Sequence, residues 1–217
     1  KLNIMQKKIT IIDYGAGNIL NLKRSFEYLS INVEVTSCPK KIKESSYLIL
    51  PGDGAFNFAI TSLKKKKLFD PILEHVSNSK PLFGICLGMQ LLMTQSEEFG
   101  IHKGLNIIEG KIIKIKNQNK KELIKVPSIG WSEILMNKKN KEYKNLPYSK
   151  FEKKIFYFIH SFKAVPKNNK NLISYYYLDR NERVAAIIGK DNVVGTQFHP
   201  EKSGKWGLEM IKMFLKL

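Results

Sequence analysis

Three short apolar runs each end at glycine, and each gives way to a helical pattern. KITIID (8–13) runs into YGAGN, YLIL (47–50) into PGDGAF, and PLFGI (81–85) into CLGMQ. Strands separated by helices cannot pair as hairpins. They cross over and pair in parallel, with helices covering the sheet. After the first run, Ile19, Leu22, Phe26 and Leu29 recur at helical spacing. NVEVTS reads as another strand. FAITSLKKKKLFDPILEHVSNS reads as helical with a break near Asp70-Pro71, and LGMQLLMTQS reads as a helix. The predicted fold class is α/β, an open, mostly parallel sheet flanked by helices.

The second half changes character. GKIIKIK, FYFIHSF, LISYYYL, RVAAIIG and VVGTQF are strand-like and joined by polar loops; KKNKEYKNLPYSK reads as a charged loop, and WGLEMIKMFLKL as a closing amphipathic helix. With no repeat and no linker, residues 1–217 read as one domain with a β-rich segment before the last core strand. The apolar runs are too short to span a bilayer, which takes about 20 residues. The start lacks the pattern of a signal peptide, and Met5 is a candidate native start. The two cysteines, Cys38 and Cys86, suggest neither a disulfide framework nor a zinc motif, so the expectation is a cytoplasmic protein with no metal and no cofactor. The net charge of +18 comes almost entirely from dispersed lysines, with arginine only at positions 24, 180 and 183. Nucleic-acid sites draw on arginine forks as well as lysine, so the charge reads as a solvated surface that can attract a phosphorylated substrate or an acidic partner.

The segment GICLGMQ has the form of a nucleophile elbow: a strand ends, a cysteine stands between two glycines, and a helix begins. Gly84 and Gly88 relieve crowding at a sharp turn, Cys86 stands at a helix N-terminus whose dipole favours a thiolate, and the Leu87 N–H points toward a developing oxyanion. A buried cysteine in a tight junction reads equally from this segment alone. Of the four histidines, His75 and His102 are expected at the surface. His160 follows a strand and is either catalytic or structural. His199, in VVGTQFHPEKSG, follows a strand at the end where open α/β sheets carry their chemistry, with Glu201 two residues on to hold one ring nitrogen. The glycines of LPGDGAF supply a second set of backbone donors; the segment lacks the spacing of a phosphate-binding P-loop.

LPGDGAF, GICLGMQLL and QFHPEKS, in that order, resemble the class I glutamine amidotransferases, and IDYGAGN, EEFGIHKGL, VPSIGW and FYFIHSF narrow the resemblance to the glutaminase subunits of imidazole glycerol phosphate synthase. The resemblance implies a flavodoxin-like fold and a Cys86–His199–Glu201 triad that hydrolyses glutamine through a thioester. It implies an oxyanion hole from Gly52, Asp53, Gly54 and Leu87, with Gln90, Glu98, Ser161 and Phe162 at the substrate. It also implies a heterodimer with a (β/α)8-barrel cyclase that receives the ammonia, with Tyr157 and Lys202 at the interface. Two positions depart from the family pattern: Asp53 replaces a small apolar residue, and Ser128 replaces histidine. A related glutaminase serving sugar amidation, a stand-alone cysteine hydrolase, a nucleic-acid module and a degenerate structural subunit are the alternatives.

Overall fold

The structure, a computed structural model, describes residues 8–115, 126–140, 147–178 and 182–216. Met5, Arg180 and parts of the lysine-rich stretches KIIKIKNQNKK and NKKNKEYK lie outside the described residues.

The expected alternation forms β1 (Ile9–Ile12), β2 (Glu34–Thr36), β3 (Tyr47–Leu50) and β4 (Leu82–Ile85). They are joined by α1 (Ile19–Tyr28), α2 (Pro39–Glu44), α3 (Phe56–Lys65) and α4 (Phe69–Ser77). Strand β4 passes into the short helix α5 (Leu87–Leu91), and the closing helix is α6 (Gly204–Phe214). Alternate side chains of the strands face opposite layers. Ile9, Ile11, Tyr47, Ile49, Phe83 and Ile85 pack with Leu22 and Phe26 of α1 and with Ile211 and Phe214 of α6. Ile12, Leu48, Leu50 and Leu82 pack with Ile42, Ala59, Leu63 and Ile72 of α2, α3 and α4. Phe214 stacks on Phe83 at 5.1 Å and meets Tyr47 edge-on at 5.6 Å. Truncating a buried ring of this kind costs about 3–5 kcal/mol.

The β-rich half supplies β5 (Met93–Ser96), β6 (His102–Lys103), β7 (Ile108–Lys114), β8 (Ser128–Glu133) and β9 (Leu135–Met136). It continues with β10 (Ile155–His160), β11 (Phe162–Pro166), β12 (Leu172–Tyr177), β13 (Arg183–Lys190) and β14 (Val193–Thr196). The main sheet runs β2-β1-β3-β4-β14-β13-β12-β9. Its first five strands pair in parallel, and the last three join antiparallel. A four-stranded sheet, β11-β7-β5-β6, and a two-stranded ribbon, β10-β8, complete the strands. Among the described residues no helix is long and apolar enough to cross a membrane.

Two local expectations need correction, and a third is met. The helix breaks and restarts near Asp70-Pro71 as expected: α3 ends at Lys65, Lys67 takes φ 57°, and α4 starts at Phe69. Pro71 sits in the first turn of α4, where a missing N–H has no intrahelical partner to lose. The helix expected through Ser96 stops at Leu91, and Met93–Ser96 is strand β5. Leu105 and Ile107 donate to the Leu91 and Leu92 carbonyls at 2.8 and 2.9 Å, and β5 then finds ladder partners in β6 and β7. Those long-range bonds outweigh local helix preference. His75, expected at the surface, is 1% exposed on the inner face of α4.

Candidate active site

Parallel neighbours end together, and that sets the position of the site. Strands β4 and β14 pair with Ile85 opposite Thr196, so the residues after each strand emerge at the same sheet edge. One strand delivers Cys86, the other Gln197 and His199. The Cys86 N–H ties the two ends by donating to the Thr196 carbonyl at 2.7 Å.

The turn at Cys86 is the strained elbow that the glycines imply. Cys86 has φ 53° and ψ −108°, a conformation that costs a non-glycine residue about 1–3 kcal/mol. A Cβ at Gly88 would lie 1.8 Å from the Leu50 carbonyl oxygen, and one at Gly84 would lie 2.8 Å from the Gly88 backbone. Only glycine lets β3, β4 and α5 approach so closely. The sulfur is 7% exposed as part of its residue. It lies 3.8 Å from the Ile159 carbonyl oxygen and 3.6 Å from Gln197 Nε2.

His199 stands over that sulfur. Its Nδ1 meets Glu201 Oε1 at 2.7 Å, and both side chains are nearly inaccessible to solvent. The carboxylate can only accept, so the proton sits on Nδ1 and Nε2 faces the Cys86 side. Nε2 makes no hydrogen bond of ordinary geometry among the described residues; it lies 3.7 Å from Asp53 Oδ1. The Cys86 sulfur, a His199 ring nitrogen and an Asp53 oxygen are all within 4.8 Å of one another. Burial disfavours the imidazolium, but the sulfur and the Glu201 carboxylate outweigh it and raise the His199 pKa to about 10. A histidine that retains its proton beside the sulfur can give it to a leaving amine.

The PGDG segment borders the sulfur on the β3 side. The expectation of a free Leu87 N–H is not met: it donates to the Gly52 carbonyl at 3.3 Å. Tyr14 donates to the preceding carbonyl, of Pro51, at 2.7 Å. Burial, with the Asp53 and Cys86 charges nearby, pushes the Tyr14 phenol pKa up and keeps it a neutral donor. Gly54 takes φ +96°, and a Cβ there would meet nothing within 4 Å, so its side of the loop is open. The Asp53 side chain is 45% exposed and is directed at His199.

The residues that the resemblance assigns to the substrate are hydrogen-bonded within the fold. Gln90 is buried; its Nε2 donates to the Phe162 carbonyl at 3.3 Å and to Gln197 Oε1 at 3.1 Å. Glu98 accepts the Phe56 N–H at 2.7 Å, at the N-terminus of α3. The Ser161 carbonyl is taken by the Ile115 N–H at 3.0 Å. His160 does not face the thiol. Its Nδ1 donates to the Phe162 carbonyl at 2.8 Å and its Nε2 accepts from the Tyr176 hydroxyl at 2.8 Å, while burial lowers its pKa to about 4. Ser128 lies 3.4 Å from the same hydroxyl.

Tyr157 and Lys202, the residues that the resemblance assigns to a partner interface, are neighbours, with Lys202 Nζ 5.9 Å from the Tyr157 ring centroid. They border an apolar face of the β8–β10 ribbon, where Ile129, Trp131 and Ile155 are exposed and Trp131 meets Tyr157 edge-on at 5.7 Å. His102 is half-buried, with Nε2 3.4 Å from the Phe99 carbonyl oxygen, and Cys38 is exposed and remote in role. Gln197 and Tyr14 were missed from sequence. The signal for Gln197 was present, since it stands two residues before His199 and extended backbone turns both to the same side.

The model of the class I glutamine amidotransferase family matches residues 10–217. The chain belongs to the class I glutamine amidotransferases. Imidazole glycerol phosphate synthase subunit HisH 1 of Legionella pneumophila (strain Paris) is 37% identical over 215 residues, covering 96% of this chain and 99% of its own. HisH 2 of Methanococcus maripaludis is 40% identical over 209 residues, covering 96% and 98%. Among solved structures, PurLQS from Thermotoga maritima aligns with a TM-score of 0.71 at 18% identity, over 97% of this chain and 99% of the matched one. A second, a glutamine amidotransferase, aligns with a TM-score of 0.69 at 15% identity over 96% and 97%. The amidotransferase fold is thereby shared even where sequence has diverged.

Proposed function

We propose that this chain is the glutaminase subunit of imidazole glycerol phosphate synthase, a single domain that supplies ammonia to a (β/α)8-barrel cyclase in the cytoplasm. The observation that carries the reading is the approach of the Cys86 sulfur and His199, with Glu201 on the far ring nitrogen, at the end of two parallel strands. The full-length relatives named HisH support the choice of pathway.

The Cys86 sulfur attacks the side-chain amide carbon of glutamine. His199 gives its Nε2 proton to the departing nitrogen, ammonia leaves, and a glutamyl thioester remains. His199 then takes a proton from water as the water attacks, and glutamate is released. Proton transfer of this kind contributes about 10²–10⁴-fold. Glu201 orients the ring and offsets its charge. Gln90 and Glu98, with the backbone at Ser161 and Phe162, hold the substrate.

On this reading the oxyanion hole is closed while the Leu87 N–H is bonded to the Gly52 carbonyl. Rotation of the Gly52–Asp53 peptide withdraws the Gly52 carbonyl from Leu87 and turns the Asp53 N–H toward the same place. One movement frees one donor and delivers another, and Gly52 and Gly54 allow it at modest strain. Docking of the cyclase on the face around Tyr157, Trp131 and Lys202 supplies the energy, because the His199 N–H bonds the Tyr157 carbonyl at 3.0 Å and links that face to the site.

Cys86→Ala tests the reading. With the cyclase present, synthesis from glutamine is abolished while synthesis from added ammonia persists. Loss of both activities in an assembled complex overturns the assignment.

A further inference from the structure

Cys86, His199 and Asp53 present one sulfur, one nitrogen and one oxygen donor to a common space, all within 4.8 Å of one another. Zinc holds such donors at about 2.3, 2.0 and 2.0 Å in a tetrahedron, which asks for donor–donor separations of roughly 3.3–3.6 Å. His199 Nε2 and Asp53 Oδ1 are already 3.7 Å apart, and the sulfur, within 4.8 Å of both donor atoms, needs to close by roughly 1.3 Å at most. His199 is 2% exposed, and its Nε2 lacks a hydrogen-bond partner of ordinary geometry among the described residues. This buried nitrogen is aimed into the space between the other two donors.

The outer partner is also in place. Glu201 holds His199 Nδ1 at 2.7 Å, the carboxylate–histidine arrangement that orients an imidazole toward a metal and raises its basicity. Asp53 is half-exposed, so an ion can arrive from solvent on its side. With an apolar residue at position 53 only two donors would remain. We propose that Cys86, His199 and Asp53 form a site for zinc, with water as fourth ligand, and that its occupancy masks the Cys86 sulfur. Binding expels the Nε2 proton and any proton on the sulfur to solvent. The positions are far apart in the chain, which is why no ligand spacing marks the site in the sequence. Metal binding stands on this geometry alone; that zinc would thereby silence a glutaminase rests on the proposed function.

The test uses the purified full chain stripped with chelator. Zinc affinity is read by competition with a chromophoric chelator, and cobalt is added as a spectroscopic probe of thiolate ligation. One equivalent binds, cobalt gives a thiolate charge-transfer band, and zinc protects Cys86 from iodoacetamide. Cys86→Ser abolishes the band, Asp53→Asn weakens zinc affinity at least about tenfold, and Cys38→Ser changes neither. Equal zinc affinity in wild type and Asp53→Asn, or a cobalt band that survives Cys86→Ser, overturns the site. Zinc binding as expected in a chain that hydrolyses no glutamine with its cyclase would uphold the site and count against the proposed function.

Discussion

The Leu87 N–H donates to the Gly52 carbonyl at 3.3 Å, and Tyr14 holds the neighbouring Pro51 carbonyl at 2.7 Å. These two bonds keep the PGDG segment in its closed form. Tyr14→Phe removes one of them. A neutral hydrogen bond nets about 1 kcal/mol, equivalent to about fivefold in an equilibrium. Glutamine hydrolysis by the chain alone should therefore rise about fivefold, with a smaller change when the cyclase is bound. Glutamate release with and without partner measures it; an unchanged basal rate in a folded variant means that Tyr14 does not hold the segment.

Gln197 bridges Cys86, the proposed nucleophile, and Gln90, a proposed substrate residue. It lies 3.6 Å from the Cys86 sulfur through Nε2 and accepts from Gln90 through Oε1 at 3.1 Å. Gln197→Leu strips the sulfur of a donor and leaves the Gln90 amide with the Phe162 carbonyl. Hydrogen bonds to a charged group contribute about 1.5–3 kcal/mol. The expected fall in kcat/KM for glutamine is about 10–100-fold. Ammonia-dependent synthesis by the complex should persist, and steady-state kinetics with both nitrogen sources separates the two.

The parts of the site that follow from local chemistry were legible. A glycine-flanked cysteine and a strand-end His-Pro-Glu each announce their backbone, and parallel pairing of β4 with β14 brings them together. The β1 to β4 alternation was legible for the same reason. Contacts that cross the fold were not. Nothing near Tyr14 in sequence tells that its hydroxyl reaches Pro51, and nothing near Ser128 tells that it meets Tyr176. Met93–Ser96 was misread because LLMTQS carries no decisive period, and its strand partners lie in β6 and β7. His75 was misread by weighing its polarity over its position: Ile72 and His75 are three apart on the buried stripe of α4.

The exposed ring of Trp131 is the natural anchor of the proposed docking face. It is 59% exposed, packs edge-on against Tyr157, and shares the ribbon surface with Ile129 and Ile155. A buried interface tryptophan contributes about 2 kcal/mol or more when truncated. Trp131→Ala should weaken cyclase binding by roughly thirtyfold, with thermal stability of the isolated chain unchanged. Calorimetric titration with the cyclase measures the affinity. Undiminished binding would place the partner on another surface.

His75 should make the fold acid-sensitive. Its Nε2 donates to the Pro81 carbonyl at 3.0 Å, closing the turn between α4 and β4, and its Nδ1 is buried without a hydrogen-bond partner among the described residues. Burial, against a raising effect of the Pro81 bond and with Lys80 adding to the depression, lowers its pKa from 6.5 to about 4. The unfolded chain thus takes up a proton at this side chain before the folded one does. Stability from this group is full above the unfolded value and falls as pH drops from 6.5 toward about 4. Between neutral pH and about pH 5 the loss is roughly 1–2 kcal/mol. His75→Gln keeps an N–H donor for Pro81 and removes the titration. Urea unfolding at the two pH values should show the wild type losing more stability than His75→Gln by that amount, and equal losses would mean that the buried imidazole does not govern the acid response.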